Sequence, residues 1–416
     1  MIYLHWILLG LAILALLGVV FEEVTHINKA KVTLFFGTLS WLLLFIHETI
    51  HGNYEGVQHG LESNISEIAS LWLFLVAAMT FVAYLNKKGM IENLIYLFLP
   101  QHISEKKLLF LTAIFCFLFS SLADNITATL VSIALVLSLN LPTAKTLRFS
   151  ALVVFAVNSG GVALITGDVT TLMIFLDNRV GIVDLMMLSL PALISVLMVA
   201  GVLSFGLKGD VAIQRHPTTV RRVDMAISGL FLLTIISTIV LNAIFKVPPV
   251  LTFLFGMSIM FLIARFFNDD NDLDPILEYV RIIEFETLLF FLGILLIVGV
   301  LKEVGVLNSL VEIYSLSSPM IANYLMGLLS ALIDNVPLTA AVLKSGIDMT
   351  KADWLALTYS VGVGGSLLVI GSAAGIVAMS KVKDLTFAGY ARYSAVLLFA
   401  FTLGYINVYF LGRLLA

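Results

Sequence analysis

Ser120-Ser-Leu-Ala-Asp124-Asn125-Ile-Thr127 returns as Ser330-Ala-Leu-Ile-Asp334-Asn335-Val-Pro337, 210 residues further along the chain. Each copy is a polar tip between two apolar arms of roughly 11 to 16 residues, with no loop around it. An arm of 15 residues reaches about 22 Å at 1.5 Å per residue, short of a hydrocarbon core of about 30 Å. Residues 108–141 and 319–346 are therefore expected as re-entrant helical hairpins, with two ordinary short helices as the other solution for 108–141. Two more matches follow in the same order. Asn158-Ser-Gly160-Gly161…Gly167-Asp168 aligns with Gly362-Val-Gly364-Gly365…Gly371-Ser372, 204 residues on, and Glu67-Ile-Ala-Ser-Leu-Trp-Leu-Phe74 with Glu284-Phe-Glu-Thr-Leu-Leu-Phe-Phe291, 217 on. The chain reads as two copies, 1–207 and 224–416, joined by a basic linker, 208–223, that holds Arg215, Arg221 and Arg222.

The surrounding composition is that of a membrane protein. Of 416 residues 60% are hydrophobic and 12% charged, about half the charged share of soluble domains, and mean hydropathy is +1.06. A soluble fold of this length could not hide so much apolar surface. A soluble enzyme, a nucleic-acid binder and a disordered tail are excluded, and an all-α polytopic membrane protein is expected. Spans are predicted at 1–21, 30–46, 67–85, 184–207, 224–245, 249–266, 284–301 and 390–412, with broken helices at 147–176 and 352–379. The net charge of −4 decides little. The lone Cys116 permits no intramolecular disulfide. No Lys or Arg precedes the first apolar run, which predicts a retained helix rather than a cleaved signal peptide.

Basic residues set the orientation. With the N-terminus outside, the inner side receives 17 of the 23 Lys and Arg, among them Lys29, Lys87, Lys106 and Arg148, and the outer side receives Arg179, Lys246, Lys302, Lys344, Lys351 and Arg413. The first hairpin then enters from the cytoplasm and the second from outside, so the copies have opposite topology. Inverted repeats with broken helices at mid-membrane are an architecture of secondary transporters. Two similar bundles with a purely structural role are the plainer solution, and the concentration of polar residues at the matched breaks weighs against it.

Asp124, Asp168 and Asp334 lie deep in apolar sequence, where an ionised Asp costs at least about 2.5–3.5 kcal/mol on insertion scales. Each adjoins an amide or a glycine break, and a Gly pair permits unwinding that frees backbone carbonyls. The local donor set is carboxylate, amide oxygen, hydroxyl (Thr127, Thr170, Thr171, Ser366, Ser372) and backbone oxygen, without thiolate or imidazole. Hard oxygens suit a hard cation rather than zinc or copper. A carboxylate holds either a proton or a cation on the same oxygens, so a shared site with alternating access would exchange one for the other. A helix cap at each tip explains any single Asp equally well. Three Asp, and no Lys or Arg at the breaks of the two broken helices, disfavour an anionic substrate.

In combination, Ala123-Asp-Asn-Ile-Thr-Ala-Thr129, Asn158-Ser-Gly-Gly, Gly167-Asp-Val-Thr-Thr171, Asp334-Asn-Val-Pro337 and Gly364-Gly-Ser…Gly371-Ser-Ala-Ala-Gly375 resemble the NhaD-type sodium/proton antiporters of the ion transporter superfamily, from about Trp41 to the C-terminus. The resemblance implies Na⁺ or Li⁺ efflux against protons, salt tolerance and pH homeostasis, no cofactor, and a homodimer whose scaffold carries a moving transport domain, in a bacterial inner membrane or an organelle envelope. It implies an ion and proton site of Asp124, Asn125, Thr127, Asn158, Asp168, Thr170, Thr171, Asp334, Asn335, Ser366 and Ser372, with sodium at Asp124, Asn125, Asn158 and Asp168. His59, Glu62 and Glu67 resemble the family there too, as a pH-sensing or ion-access element; a solvated outer loop, 47–66, explains them as well. A sodium-coupled anion or arsenite carrier of the same superfamily is the alternative.

Two motifs compete for notice. His47-Glu48-Thr-Ile-His51 matches the zincin pattern and raises an intramembrane zinc metalloprotease, but it falls at the outer end of a predicted span and Gly52-Asn53 follows at once. Asp270-Asn-Asp272-Leu-Asp274 begins like a calcium loop, yet Pro275 and Arg281 occupy positions that need Gly and Glu. A surface histidine cluster and a solvated acidic loop are the expected readings.

Overall fold

The computed structural model describes residues 2–20, 27–91, 93, 100, 102–212, 219–267, 279–281 and 283–415. The acidic stretch 270–274 and Arg215 lie outside the described residues. Helices α1 (Ile2–Val20), α2 (Lys29–Ile50) and α3 (Tyr54–Lys87) come first. Strand β1 (His102–Ser104) leads into α4 (Glu105–Leu122), then α5 (Asn125–Ser138), α6 (Thr143–Gly161), α7 (Val169–Leu176) and α8 (Ile182–Leu203). Strand β2 (Asp210–Ala212) pairs antiparallel with β1. There follow α9 (Arg222–Phe245), α10 (Pro249–Phe267), α11 (Phe285–Glu303), α12 (Asn308–Leu316), α13 (Pro319–Ser330), α14 (Asn335–Lys344), α15 (Lys351–Gly364), α16 (Ala373–Lys381) and α17 (Phe387–Leu415). Among the described residues six helices are long and apolar enough to cross a membrane. The protein is an all-α polytopic membrane protein.

Two expectations are corrected. Residues 54–66 are not loop but the first turns of α3, a helix of 34 residues. Val57, Asn64, Ile68 and Leu71 recur at helical spacing and are all buried, so the polar residues that suggested a loop form the helix's solvent face. The first arm of 108–141 is also longer than expected, 18 residues from Glu105, or about 27 Å. Its start is held by the Glu105 N–H on Gly209 O at 2.8 Å and by the Glu105–Lys145 ion pair. The other three arms, of 14, 12 and 10 residues, are short.

Helices α1, α2, α3, α9, α10 and α11 pack on one another as one group, and α4–α8 with α13–α17 as a second. The main seam between them is α11 against α14. Within the second group the matched segments make matched contacts. Ser120 Oγ lies 2.8 Å from Val157 O, and Ser330 Oγ 2.7 Å from Val361 O. Thr129 donates to Asn125 O at 2.7 Å, and Thr339 to Asn335 O at 2.9 Å. A Cβ on Gly160 would overlap the Phe117 carbonyl, and one on Gly364 the Gly327 carbonyl. The two glycines therefore set how closely α4 approaches α6 and α13 approaches α15.

Gly160→Val and Gly364→Val must each push a packed helix pair apart, at about 1–3 kcal/mol or more. Thermal unfolding in detergent should show both losing several degrees of midpoint. Gly201→Val, which meets open space, should match the parent; equal losses in all three would contradict the close-approach account.

Candidate functional site

Four helices begin on polar caps drawn from the matched segments. Asp124 caps α5, its Oδ1 accepting the Ile126 and Thr127 N–H groups at 3.0 and 2.9 Å, and its Oδ2 the Thr127 hydroxyl at 2.7 Å. Asp334 caps α14 through the Val336 N–H at 3.1 Å. Asp168 caps α7 through the Thr170 N–H at 3.0 Å, and Ser372 caps α16 through the Gly375 N–H at 3.3 Å. A short side-chain acceptor just before a helix satisfies N–H groups that the helix cannot, which is why the chain breaks at these residues. Four helix N-termini also bring partial positive charge, and this offsets the cost of three neighbouring carboxylates.

The caps meet around a cavity of about 60 Å³ lined by Asp124, Asn125, Asn158, Asp168, Asp334, Asn335 and Ser372. Asp168 is its hub. Asn125 from α5 and Asn335 from α14 both donate to Asp168 Oδ2, at 2.8 and 2.9 Å, so one oxygen joins segments 167 residues apart. Asn158 donates to Val154 O at 2.9 Å and to Ser372 Oγ at 3.0 Å. Its Oδ1 is buried and accepts from no protein group. Ser120 Oγ stands 2.9 Å from Asn125 Oδ1 and 2.8 Å from Val157 O. A hydroxyl has one proton for those two acceptors.

Of the residues singled out in the sequence, Thr127, Thr170, Thr171 and Ser366 stand one step behind the cavity wall. Thr127 and Thr170 hold the two Asp caps, Thr171 donates to Gly161 O at 3.3 Å, and Ser366 donates to Val363 O at 2.6 Å. His59 and Glu62 lie on the exposed face of α3, away from this cavity. Glu67 instead pairs with Lys344 at 2.9 Å. His47 and His51 stack on each other at 4.1 Å, and Glu48 accepts from Asn53 at 2.9 Å. Among the described residues no three His, Cys, Asp or Glu side chains are placed to hold a metal ion.

Sequence reasoning missed Lys29 and Thr287, which also line the cavity. Lys29 Nζ lies 3.9 Å from Asp334 Oδ2 and 4.6 Å from the Phe290 ring centre. In the sequence Lys29 is one more basic residue before a span, and nothing there marks its approach to a tip 305 residues later.

Apolar spans interrupted by capped breaks that face one small polar cavity are features of a multi-pass membrane transporter. Residues 1–362 match the CitMHS family, described as citrate transporter. The Na⁺/H⁺ antiporter NhaD of Vibrio cholerae serotype O1 is 30% identical over 93% of this chain and 87% of its own, and that of Alkalimonas amylolytica 30% over 96% and 88%. Sodium/proton antiporter 1 of Arabidopsis thaliana is 28% identical over 90% of this chain and 69% of its own. The chain belongs to the CitMHS transporter family, with NhaD-type antiporters as relatives along nearly its whole length.

If Asp124 is a helix cap as well as a site residue, the two roles separate by substitution. Asp124→Asn keeps a capping oxygen and should leave unfolding in sodium-free detergent within a degree or two of the parent. Asp124→Ala should cost about 0.5–2 kcal/mol. Equal behaviour of the two variants would show that the cap bonds carry no stability.

Proposed function

We propose that the protein exchanges Na⁺, and with it Li⁺, for H⁺, cation and proton competing for carboxylate oxygens at the helix breaks. The observation that carries this reading is the convergence of Asn125 and Asn335 on one oxygen of Asp168, between Asp124 and Asp334, in a cavity of about 60 Å³. That volume suits an ion with a few waters, whereas pockets for drug-sized organic ligands run to about 300–1,000 Å³. A tricarboxylate would also meet three acidic side chains against a single ammonium, Lys29, which already faces Asp334. The citrate of the family description, and anion carriage generally, fit this site poorly. The NhaD relatives carry the exchange in their names.

In the proposed cycle Asp168, while ionised, is held by two amide N–H groups. A cation or proton arriving at Oδ2 reverses what that oxygen can accept, and the Asn125 amide turns its oxygen inward. Its Nδ2 then donates to Ser120 Oγ, and the Ser120 proton is left wholly for Val157 O. Asp124, Asn125, Asn158 Oδ1 and Asp168 are the sodium ligands. Asp334 and Asn335 complete or gate the site, while Thr127, Thr170, Thr171, Ser366 and Ser372 hold it in shape.

The two copies lie inverted across a bacterial inner membrane with the N-terminus outside, as the distribution of Lys and Arg supports. The α1–α3 and α9–α11 group is the scaffold of a homodimer, and the group bearing the breaks is the moving part. The segregation of helices into two packed groups, each drawing on both halves, supports that division.

Inside-out vesicles from antiporter-deficient cells, with a pH-gradient dye, test the reading. NaCl or LiCl should collapse the gradient promptly, and Asp168→Asn should lower the rate about tenfold or more at equal amounts of protein. No response to either salt at neutral and alkaline pH, or uptake of a labelled anion that needs Na⁺, would overturn it.

A further inference from the structure

Helix α14 is tied to the other helix group at both ends. At its start the Asp334 cap faces Lys29 of α2 at 3.9 Å, and at its last residue Lys344 pairs with Glu67 of α3 at 2.9 Å. Both pairs cross the seam between the two groups. The helix is 10 residues long, so the ties stand about 15 Å apart. The Lys344 side chain is 9% exposed and that of Glu67 52%. A nearly buried ammonium without a counter-charge is costly, so Lys344 holds to its carboxylate while this arrangement lasts. The other charges acting on it are Lys302 and Glu303 of α11, and Asp177 and Arg179 nearby pair with each other at 2.6 Å.

A second cavity of about 520 Å³ opens at this pair and is lined also by Lys302 and Arg179. Helices α3, α7, α11 and α14 line both this cavity and the ion site. On α3, Glu67 faces the second cavity and Leu75 the first; on α14, Lys344 faces the second and Asn335 the first. Leu71 and Ala340, both buried, line the second cavity at positions that lie between these residues along their helices, and the buried Leu295 of α11 lines it too. The large cavity thus leads toward the ion site along the seam and stops at packed side chains.

We propose that Glu67 and Lys344 form the lock of the exchanger on this side of the membrane. The pair fastens the far end of α14 to α3, and it must part before the second cavity joins the ion site. Both are positioning residues: neither touches the ion, and they act by holding the helix that carries Asn335. The proposal rests on the exchanger reading above.

The test is a reversible cross-link. Glu67→Cys and Lys344→Cys are introduced together, with the fully buried Cys116 left in place, and joined in vesicles by a short bis-methanethiosulfonate reagent. Cross-linking should slow Na⁺-driven collapse of the pH gradient at least about tenfold, a reductant should restore it, and each single variant should be indifferent to the reagent. Cross-linked protein that exchanges at its reduced rate overturns the lock and leaves the exchanger standing. Parent protein without a Na⁺ response defeats the exchanger reading, and the lock with it. Should the double variant fail to accumulate, the swap Glu67→Lys with Lys344→Glu decides. Exchange recovered to within about twofold of the parent from two slower single variants supports the lock, and a swap no better than the singles overturns it.

Discussion

A carboxylate placed among packed helices must have its oxygens satisfied, and Asp168 meets that demand by drawing on both halves of the chain. One oxygen caps its own helix and the other takes amide N–H groups from Asn125 and Asn335. The remaining site geometry follows. Asn125 and Asn335 can reach Asp168 only because Asp124 and Asp334 start their helices one residue earlier. Those starts require the chain to break there, and the breaks are tolerated because protein, not lipid, surrounds them.

The glycines serve the same end by a different means. A polar tip can meet a break in another helix only if the helices that carry them come close. Gly160 against Phe117 and Gly364 against Gly327 remove the side chain that would keep them apart. The Ser120 and Ser330 hydroxyls then reach the carbonyls of Val157 and Val361 across the same crossings. Close approach and hydrogen bonding thus occur at corresponding positions of the two matched segments, which ties the sequence match to a shared packing solution.

Much of this was legible in the sequence because it is written in local chemistry. Asp-Asn at a tip, paired glycines and long apolar runs each announce a break or a span, and the order of their repetition announces correspondence. What stayed hidden depends on amphipathic surfaces and on distance. The start of α3 carries too many polar residues to read as a span, and its buried stripe of Val57, Asn64 and Ile68 shows only against its neighbours. Lys29 and Lys344 looked like ordinary topogenic charges, and both lie instead in ion pairs across the seam. Thr127, Thr170, Thr171 and Ser366 were recognised as polar residues at depth. Spacing alone could not show that the Thr127, Thr171 and Ser366 hydroxyls turn toward a cap or a carbonyl rather than into the cavity, or that Thr170 serves its cap through its backbone N–H.

The proposed competition between proton and cation needs no separate machinery beyond these amides. An amide can meet an oxygen anion with its hydrogens or a cation with its oxygen, but the same face cannot do both. While Asp168 is ionised its two amide donors are well placed, and Ser120 must divide one proton between Asn125 Oδ1 and Val157 O. Once Asp168 carries a proton or a metal ion, turning the Asn125 amide improves both ends: its oxygen meets positive charge and its nitrogen relieves Ser120. Two occupants that reward the same turn compete for one oxygen. Because that oxygen also holds Asn335, the first residue of α14, each change of occupant alters the hold of Asp168 on the helix whose two ends are tied across the seam.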